Sequence, residues 1–267
     1  MTSAASLLEL YDLQLRGSAM LQADPGLTVE SEGPVVRASS TAGLPGMVSA
    51  TGIRGLAPRD WDELIQSQLR HFRERGQPFE WKTFSHDHPQ GFLQRLEFLG
   101  FCRGEAEAVM IAASEPVSRG GTELPPGVEV FALTTTGDFD ALAAQLEQSF
   151  GEDHAGRARG YEQAVRTSPQ SVFALGARAA GALVASGRLE LVVHSDFGTL
   201  WGGSVVPAWR HRGLYRALVQ RRAQVAVDGG FSWLEVDALP SSRPILERMG
   251  FVTVTTTVPY SWSPGPR

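Results

Sequence analysis

The sequence predicts an α/β protein built from two similar domains, and three observations carry that prediction. Runs of apolar residues at helical spacing alternate along the chain with short β-branched and apolar runs bounded by Gly and Pro. The 267 residues are long for one core but suit two domains of about 100 to 150 residues each. The chain also repeats itself. Leu96-Glu97-Phe98-Leu99-Gly100-Phe101 returns 150 positions later as Leu246-Glu247-Arg248-Met249-Gly250-Phe251, and Phe79-Glu80-Trp81 returns 152 positions later as Phe231-Ser232-Trp233. Near-equal offsets within the same order of helices and strands point to duplication.

In the first half, Leu7, Leu10, Tyr11 and Leu15 predict a helix over 6–15, followed by strands at 27–30, 35–39 and 47–52. Pro58 opens a second helix whose Trp61, Leu64, Ile65 and Leu69 share a face and which closes near Gly76. A strand at 79–84, a helix at 90–99 and a strand at 101–111 complete this half. Residues 114–127 are rich in Ser, Gly and Pro and read as a connection, so the domains are expected at 1–118 and 128–267 with the linker at 119–127.

The second half restarts with a strand at 128–133 and helices at 138–150 and 157–166. Strands follow at 171–176, 182–193 and 199–206, then a helix from Gly213 to Asp228 stopped by Gly229 and Gly230. A strand at 231–237, a short helix at 243–249 and a strand at 251–258 lead into a Pro-rich tail.

Composition removes several classes of function. Apolar residues at 42% and charged residues at 20% suit a globular protein rather than a disordered or fibrous one. No apolar run approaches the roughly 18 residues of a membrane span, and no basic stretch precedes an apolar core at the N-terminus, so the cytoplasm is the expected compartment. Cys102 is the only cysteine, which rules out an internal disulfide and a thiolate metal cluster, and no metal site is expected. A net charge of −5 disfavours nucleic acid as a partner. Positive charge is instead concentrated locally: between Arg210 and Arg222 lie five arginines and His211, with no acid among them.

That basic segment begins where a strand ends in Val205-Val206-Pro207 and runs through Ala208-Trp209-Arg210-His211-Arg212-Gly213-Leu214-Tyr215-Arg216 into a helix. The first amides of a helix lack intrahelical partners, and the helix dipole and neighbouring guanidinium groups favour an anion there. Gly213 lets a pyrophosphate approach the backbone without a Cβ between them. The alternative is a solvated Arg-rich helix face, which fits Arg221 and Arg222 better than Arg210, Arg212 and Arg216. Neither Gly-x-Gly-x-x-Gly after a first strand nor Gly-Lys-Ser/Thr is present, which speaks against dinucleotide and P-loop sites.

The segment resembles the cofactor motif of the GNAT N-acyltransferases, Arg/Gln-x-x-Gly-x-Gly/Ala after a Val-x-Pro strand end, with Tyr215 in place of the last small residue. Val236-Asp237-Ala238 and the stretch from Ser242 to Phe251 extend the likeness over about residues 128–258. The resemblance implies two GNAT-like domains, each a mixed, mostly antiparallel twisted sheet flanked by helices, the first degenerate and the second catalytic. It implies acetyl-CoA as the acyl donor, held by Ser204, Val205 and Val206 on the strand and by Arg210, His211, Arg212, Gly213, Leu214, Tyr215 and Arg216 at the helix start. Trp201, Gly202 and Gly203 would face the acceptor, although paired glycines also mark a β-bulge.

The resemblance further implies a glutamate on the cofactor strand and a tyrosine before the final Gly-Phe. This chain has no carboxylate at 199–206 and Leu246 at the tyrosine's position. Asp237 is the leading candidate base, beside Glu235, Asp196 and His194, and Tyr215 or Tyr260 the candidate acid. Backbone N–H of Val205 or Val206 would stabilise the oxyanion. In the first half the corresponding turn reads Ser49-Ala50-Thr51-Gly52-Ile53-Arg54-Gly55-Leu56-Ala57-Pro58, with one arginine and a proline at the helix start, so no coenzyme A is expected there. The expected reaction is acetylation of a primary amine on a small molecule; a protein acetyltransferase or a non-catalytic acyl-CoA sensor are the alternatives. Oligomeric state is not legible.

Overall fold

The computed structural model describes residues 2–16, 27–40, 45–151 and 153–265, so the last two residues of the Pro-rich tail lie outside it. Along the first half run α1 (Ala4–Gln14), β1 (Leu27–Glu32), β2 (Val35–Ser40), β3 (Gly46–Ala50), α2 (Pro58–Glu74), β4 (Phe79–Phe84), α3 (Phe92–Phe98), β5 (Cys102–Arg103) and β6 (Glu107–Ala113). Next come α4 (Ser114–Ser118), β7 (Val128–Ala132), α5 (Thr136–Phe150), α6 (Ala155–Thr167), β8 (Val172–Ala179), β9 (Ala182–Leu191) and β10 (Phe197–Val205). After a 3-10 turn at Pro207–Trp209 the chain closes with α7 (Leu214–Asp228), β11 (Trp233–Ala238), α8 (Arg243–Glu247) and β12 (Val252–Trp262).

The chain forms two compact units: Met1–Val109 with Ala238–Ser241 and Thr253–Arg267, and Met110–Asp237 with Ser242–Val252. In the first, the strands run β1-β2-β3-β4-β12, with β5 against β12. The β3–β4 pair is parallel and its neighbours antiparallel. In the second, the order is β11-β10-β9-β8-β7, with β10–β11 parallel and the rest antiparallel. Each unit is therefore the mixed, mostly antiparallel sheet with helices that the sequence predicts, and each places one helix between its two parallel strands (α2 or α7).

Local chemistry explains the boundaries. α2 begins at Pro58, whose missing N–H costs nothing at the first helical position, and lays Trp61, Ile65, Leu69 and Phe72 into the first core. Phe72 stacks on Phe79 with ring centroids 4.2 Å apart. α5 opens on a capping box between Thr135 and Asp138 and closes on left-handed Gly151. The repeated Leu-Glu-x-x-Gly-Phe makes the same helix end twice: Phe101 N–H donates to Leu96 O and Phe251 N–H to Leu246 O, both at 3.1 Å. Gly100 and Gly250 turn the chain at φ 90° and 93°, and both leucines are fully buried.

Three expectations change. The strand expected at 101–111 is two strands, β5 and β6. The connection expected at 114–127 starts as helix α4, which packs on α7, with Gly120 set against the Gln220 side chain. The last strand runs past 258, because Val258, Tyr260 and Trp262 continue the period-two burial, and these side chains join the core of the first unit. Among the described residues no helix is long and apolar enough to cross a membrane.

Phe72→Ala is expected to lower the unfolding free energy by about 3–5 kcal/mol in a urea titration. A second expectation concerns His71, 8% exposed with Nε2 2.9 Å from Ser39 Oγ. Burial, then Arg37 and Arg75, hold its pKa below 6.5 against the pull of Glu30 and Glu32. The unfolded chain therefore binds more protons than the folded one as pH falls through 6.5, and stability drops in that window. Unfolding titrations of His71→Gln should show a smaller drop.

Candidate active site

The site starts from a parting of two strands. β10 and β11 pair only at Phe197–Trp233, Gly198–Leu234 and Thr199–Glu235. Beyond Thr199 the register ends, so residues 200–205 keep their partner in β9 but lose the one in β11. On the β9 side the register shifts between Trp201 and Ser204, which makes Gly202-Gly203 a bulge, with Gly202 left-handed at φ 59°. The glycines thus form the expected bulge, and both residues are exposed.

After the bulge, backbone bonding alternates. Val206 N–H donates to Val184 O at 3.0 Å, so Val206 is spent on β9. Alternation in an antiparallel ladder turns the N–H and C=O of Val205 the other way, toward the side β11 has left. The Val205 carbonyl there accepts from Arg210 Nε at 3.1 Å. Of the two amides expected to serve an oxyanion, only that of Val205 faces the gap. The Ser204 side chain is turned into a buried triad with Gln145 and Ser186, at 3.1 Å from each.

Past the 3-10 turn, His211 and Gly213 are both left-handed, at φ 61° and 84°, and Gly213 is the N-cap of α7. No side chain caps the helix, its first turn holds no acid, and its first backbone bond is Ala217 N–H to Gly213 O. The amides of residues 214–216 therefore have no intrahelical partner. Arg212 lies over the Trp209 ring, 4.8 Å from its centroid, and Arg210, His211, Arg212 and Arg216 are exposed. Leu214 is buried beside Val206 and Leu218. A Cβ on Gly213 would meet Thr122 Cγ2 at 3.0 Å and Glu123 O at 3.5 Å, so the chain itself fills the space expected for a phosphate beside that glycine.

Tyr215, in the first turn of α7, sets its ring against Gly203, where a Cβ would lie 2.8 Å from Cε2, and its hydroxyl hydrogen-bonds Ser242. Burial pushes its pKa up, against the pull of Arg222 and Ser242. Asp237 is half-buried on the part of β11 that has left β10, and Glu235, 2% exposed, stands opposite Thr199 at the last paired position. Asp196 and His194 are not brought to the gap; they are exposed in the turn that enters β10, at its other end. Tyr260 is 1% exposed in the core of the first unit. Leu246 is fully buried.

Four side chains escaped the sequence reading. Arg222, expected on a solvated face, is 1% exposed. It donates to the backbone oxygens of Leu218 and Arg188 at 3.1 Å and of Trp201 at 3.4 Å. Among the described residues no acid pairs with it; burial brings its pKa down to about 10, so it keeps its charge at neutral pH. Gly187 makes the room, since a Cβ there would sit 2.8 Å from the guanidinium carbon. Arg188 and Glu190 pair at 2.7 Å on the opposite face of β9. Arg188 also lies over the Tyr161 ring, 4.5 Å from its centroid. The alternation of Ser186, Arg188 and Glu190 with Gly187, Leu189 and Leu191 was the available signal for a polar strand face; Tyr161 and Arg222 gave none.

In the first unit, the Gly52 N–H after β3 donates to Asp87 Oδ2 at 2.9 Å, and Arg16 holds the same oxygen at 2.6 Å. A carboxylate of the chain occupies that turn.

Comparison with known proteins follows the same geometry. A search of curated proteins finds no match, whereas the family model described as "Acetyltransferase (GNAT) family" matches residues 139–251. A GCN5-related N-acetyltransferase from Kribbella flavida is similar in structure at a TM-score of 0.70 and 17% identity, over 94% of this chain and 97% of that one. One from Sphaerobacter thermophilus follows at 0.63 and 17%, over 86% and 76%. A tandem GNAT protein from the clavulanic acid biosynthesis pathway gives 0.63 and 14%, over 91% and 85%. At such identities the likeness shows the fold. With the family match it establishes that residues 139–251 are a GNAT-family acetyltransferase domain.

Proposed function

We propose that the second unit transfers an acetyl group from acetyl-CoA to a primary amine of a small molecule, and that it works in the cytoplasm. The observation that carries this is the pairing of an open strand with an uncapped helix: Val205 offers its N–H to the gap, nine to eleven residues before three free helix amides flanked by Arg210, Arg212 and Arg216. The two features fit the two ends of one ligand, a thioester arm along β10 and a diphosphate at α7.

Acetyl-CoA enters as a substrate consumed in each turnover and supplies an acyl carbon activated by its thiolate leaving group. The chain supplies the rest. Val205 N–H is a fixed dipole for the oxyanion, a service worth about 2.7–4 kcal/mol where such donors have been removed. Asp237, on the free end of β11, takes the proton from the incoming ammonium directly or through water. Arg210, His211, Arg212, Arg216 and the amides of residues 214–216 bind the diphosphate, with Gly213 setting the helix start and Ser204 and Val206 fixing the strand that lines the arm. A sensor that binds acyl-CoA without transfer is favoured by one fact, the lack of any carboxylate on β10.

Isothermal titration should give one coenzyme A per chain, because Asp87 fills the corresponding turn of the first unit; two equal sites would contradict that reading. The Gly213→Glu, Arg212→Glu double variant should bind at least tenfold more weakly, and unchanged binding would exclude the α7 start as the site. Acetyl-CoA turnover with a panel of small amines separates enzyme from sensor, the sensor binding without turnover.

A further inference from the structure

The bulge in β10 has a tyrosine on each side, and only one of them presents a hydroxyl to it. Tyr215 offers the side of its ring to Gly203 while Ser242 engages its hydroxyl. Tyr161, from α6, does the reverse: a Cβ on Gly202 would lie 2.5 Å from its Oη, so only the absence of a side chain admits the hydroxyl. Its ring is anchored on the cluster of Phe139, Leu142 and Leu146 from α5, and among the described residues its hydroxyl makes no hydrogen bond. A half-buried phenol held by its ring, with its O–H delivered to a bulge that glycine keeps open, is placed for chemistry rather than for packing.

The nearest charge is a cation. Arg188 from β9 stands over its ring at 4.5 Å, and the Glu190 carboxylate is engaged by Arg188. Arg222 from α7, buried behind the bulge with no acid beside it, acts electrostatically on Tyr161 and Tyr215 alike. The α5 side chains named above are apolar. A phenolate formed there in turnover lies against the Arg188 guanidinium, with Arg222 behind the strand.

We propose that Tyr161 is the proton donor to the departing thiolate, an assignment that rests on the acetyl-transfer reading above. The amine nitrogen, made neutral by proton loss to Asp237, forms the N–C bond to the acetyl carbon while the C–O π pair moves to oxygen, and the nitrogen's surplus proton leaves to water. Collapse restores the carbonyl and breaks the C–S bond; sulfur keeps that pair and takes the Tyr161 proton. The phenolate left between Arg188 and Arg222 recovers a proton from solvent, so the sum is amine plus thioester giving amide plus thiol. This assigns the acid to α6, where Leu246 leaves none before the final Gly-Phe.

Tyr161→Phe in the full chain tests this, since it keeps the ring and its contacts and removes one oxygen. With acetyl-CoA and an amine from the panel, kcat should fall about a hundredfold while coenzyme A binds within twofold of wild type. A variant with wild-type kcat overturns the assignment while leaving the transfer reading intact. A wild-type chain that binds coenzyme A and acetylates no amine overturns both.

Discussion

The second unit depends on one buried cation. Arg222 reaches from α7 through the space left by Gly187 and gives its donors to the carbonyls of Leu218, Arg188 and Trp201. Trp201 is the last residue before the bulge, and its carbonyl is fixed from the helix side. An unpaired guanidinium in an interior is costly, and these carbonyls offset only part of its lost hydration. What it provides is a helix-to-strand tie at the point where β10 leaves β11, with a positive charge behind the bulge.

The helix N-terminus contributes in a different way. Gly213 is required twice, by its left-handed φ and by Thr122 and Glu123 packed against it. The segment expected to be a plain connection therefore helps set the α7 start, with α4 on the helix flank and Leu124 in the cluster of Val206, Leu214 and Leu218. The anion donors are left at residues 214–216 and on the arginines before them, rather than at the glycine itself.

What was legible in the sequence was local. A strand end, a glycine N-cap and a basic loop occupy consecutive residues, so the 205–216 segment could be read as an anion site without a fold. The Leu96 and Leu246 repeats could be read as matching helix ends because one glycine φ and one backbone bond define each. Arg222 could not, since its neighbours Leu218, Trp201 and Arg188 come from three elements, and only their convergence, with Gly187 opposite, distinguishes it from exposed Arg221. Tyr161 failed for the same reason: its meaning lies in a bulge 41 positions away. His194 and Asp196 had the right chemistry on the right strand but at its entry end, a distinction of direction that composition does not carry.

The two units build the same turn from different residues. Both place a helix between parallel strands, and both end the next short helix with the same glycine-turned cap. At the start of α7 the chain presents Gly213, Leu214 and exposed arginines, with free amides and no acid. At the start of α2 it presents Ala57 and Pro58, which removes a donor, while Asp87 takes the Gly52 amide and Arg16 neutralises it. A carboxylate fixed on that amide excludes a diphosphate by occupancy and by charge, and moving it would break its 2.6 Å pair with Arg16, whose side chain is 3% exposed. The first unit's site is thus closed by an internal ion pair, which makes the closure part of that unit's own stability.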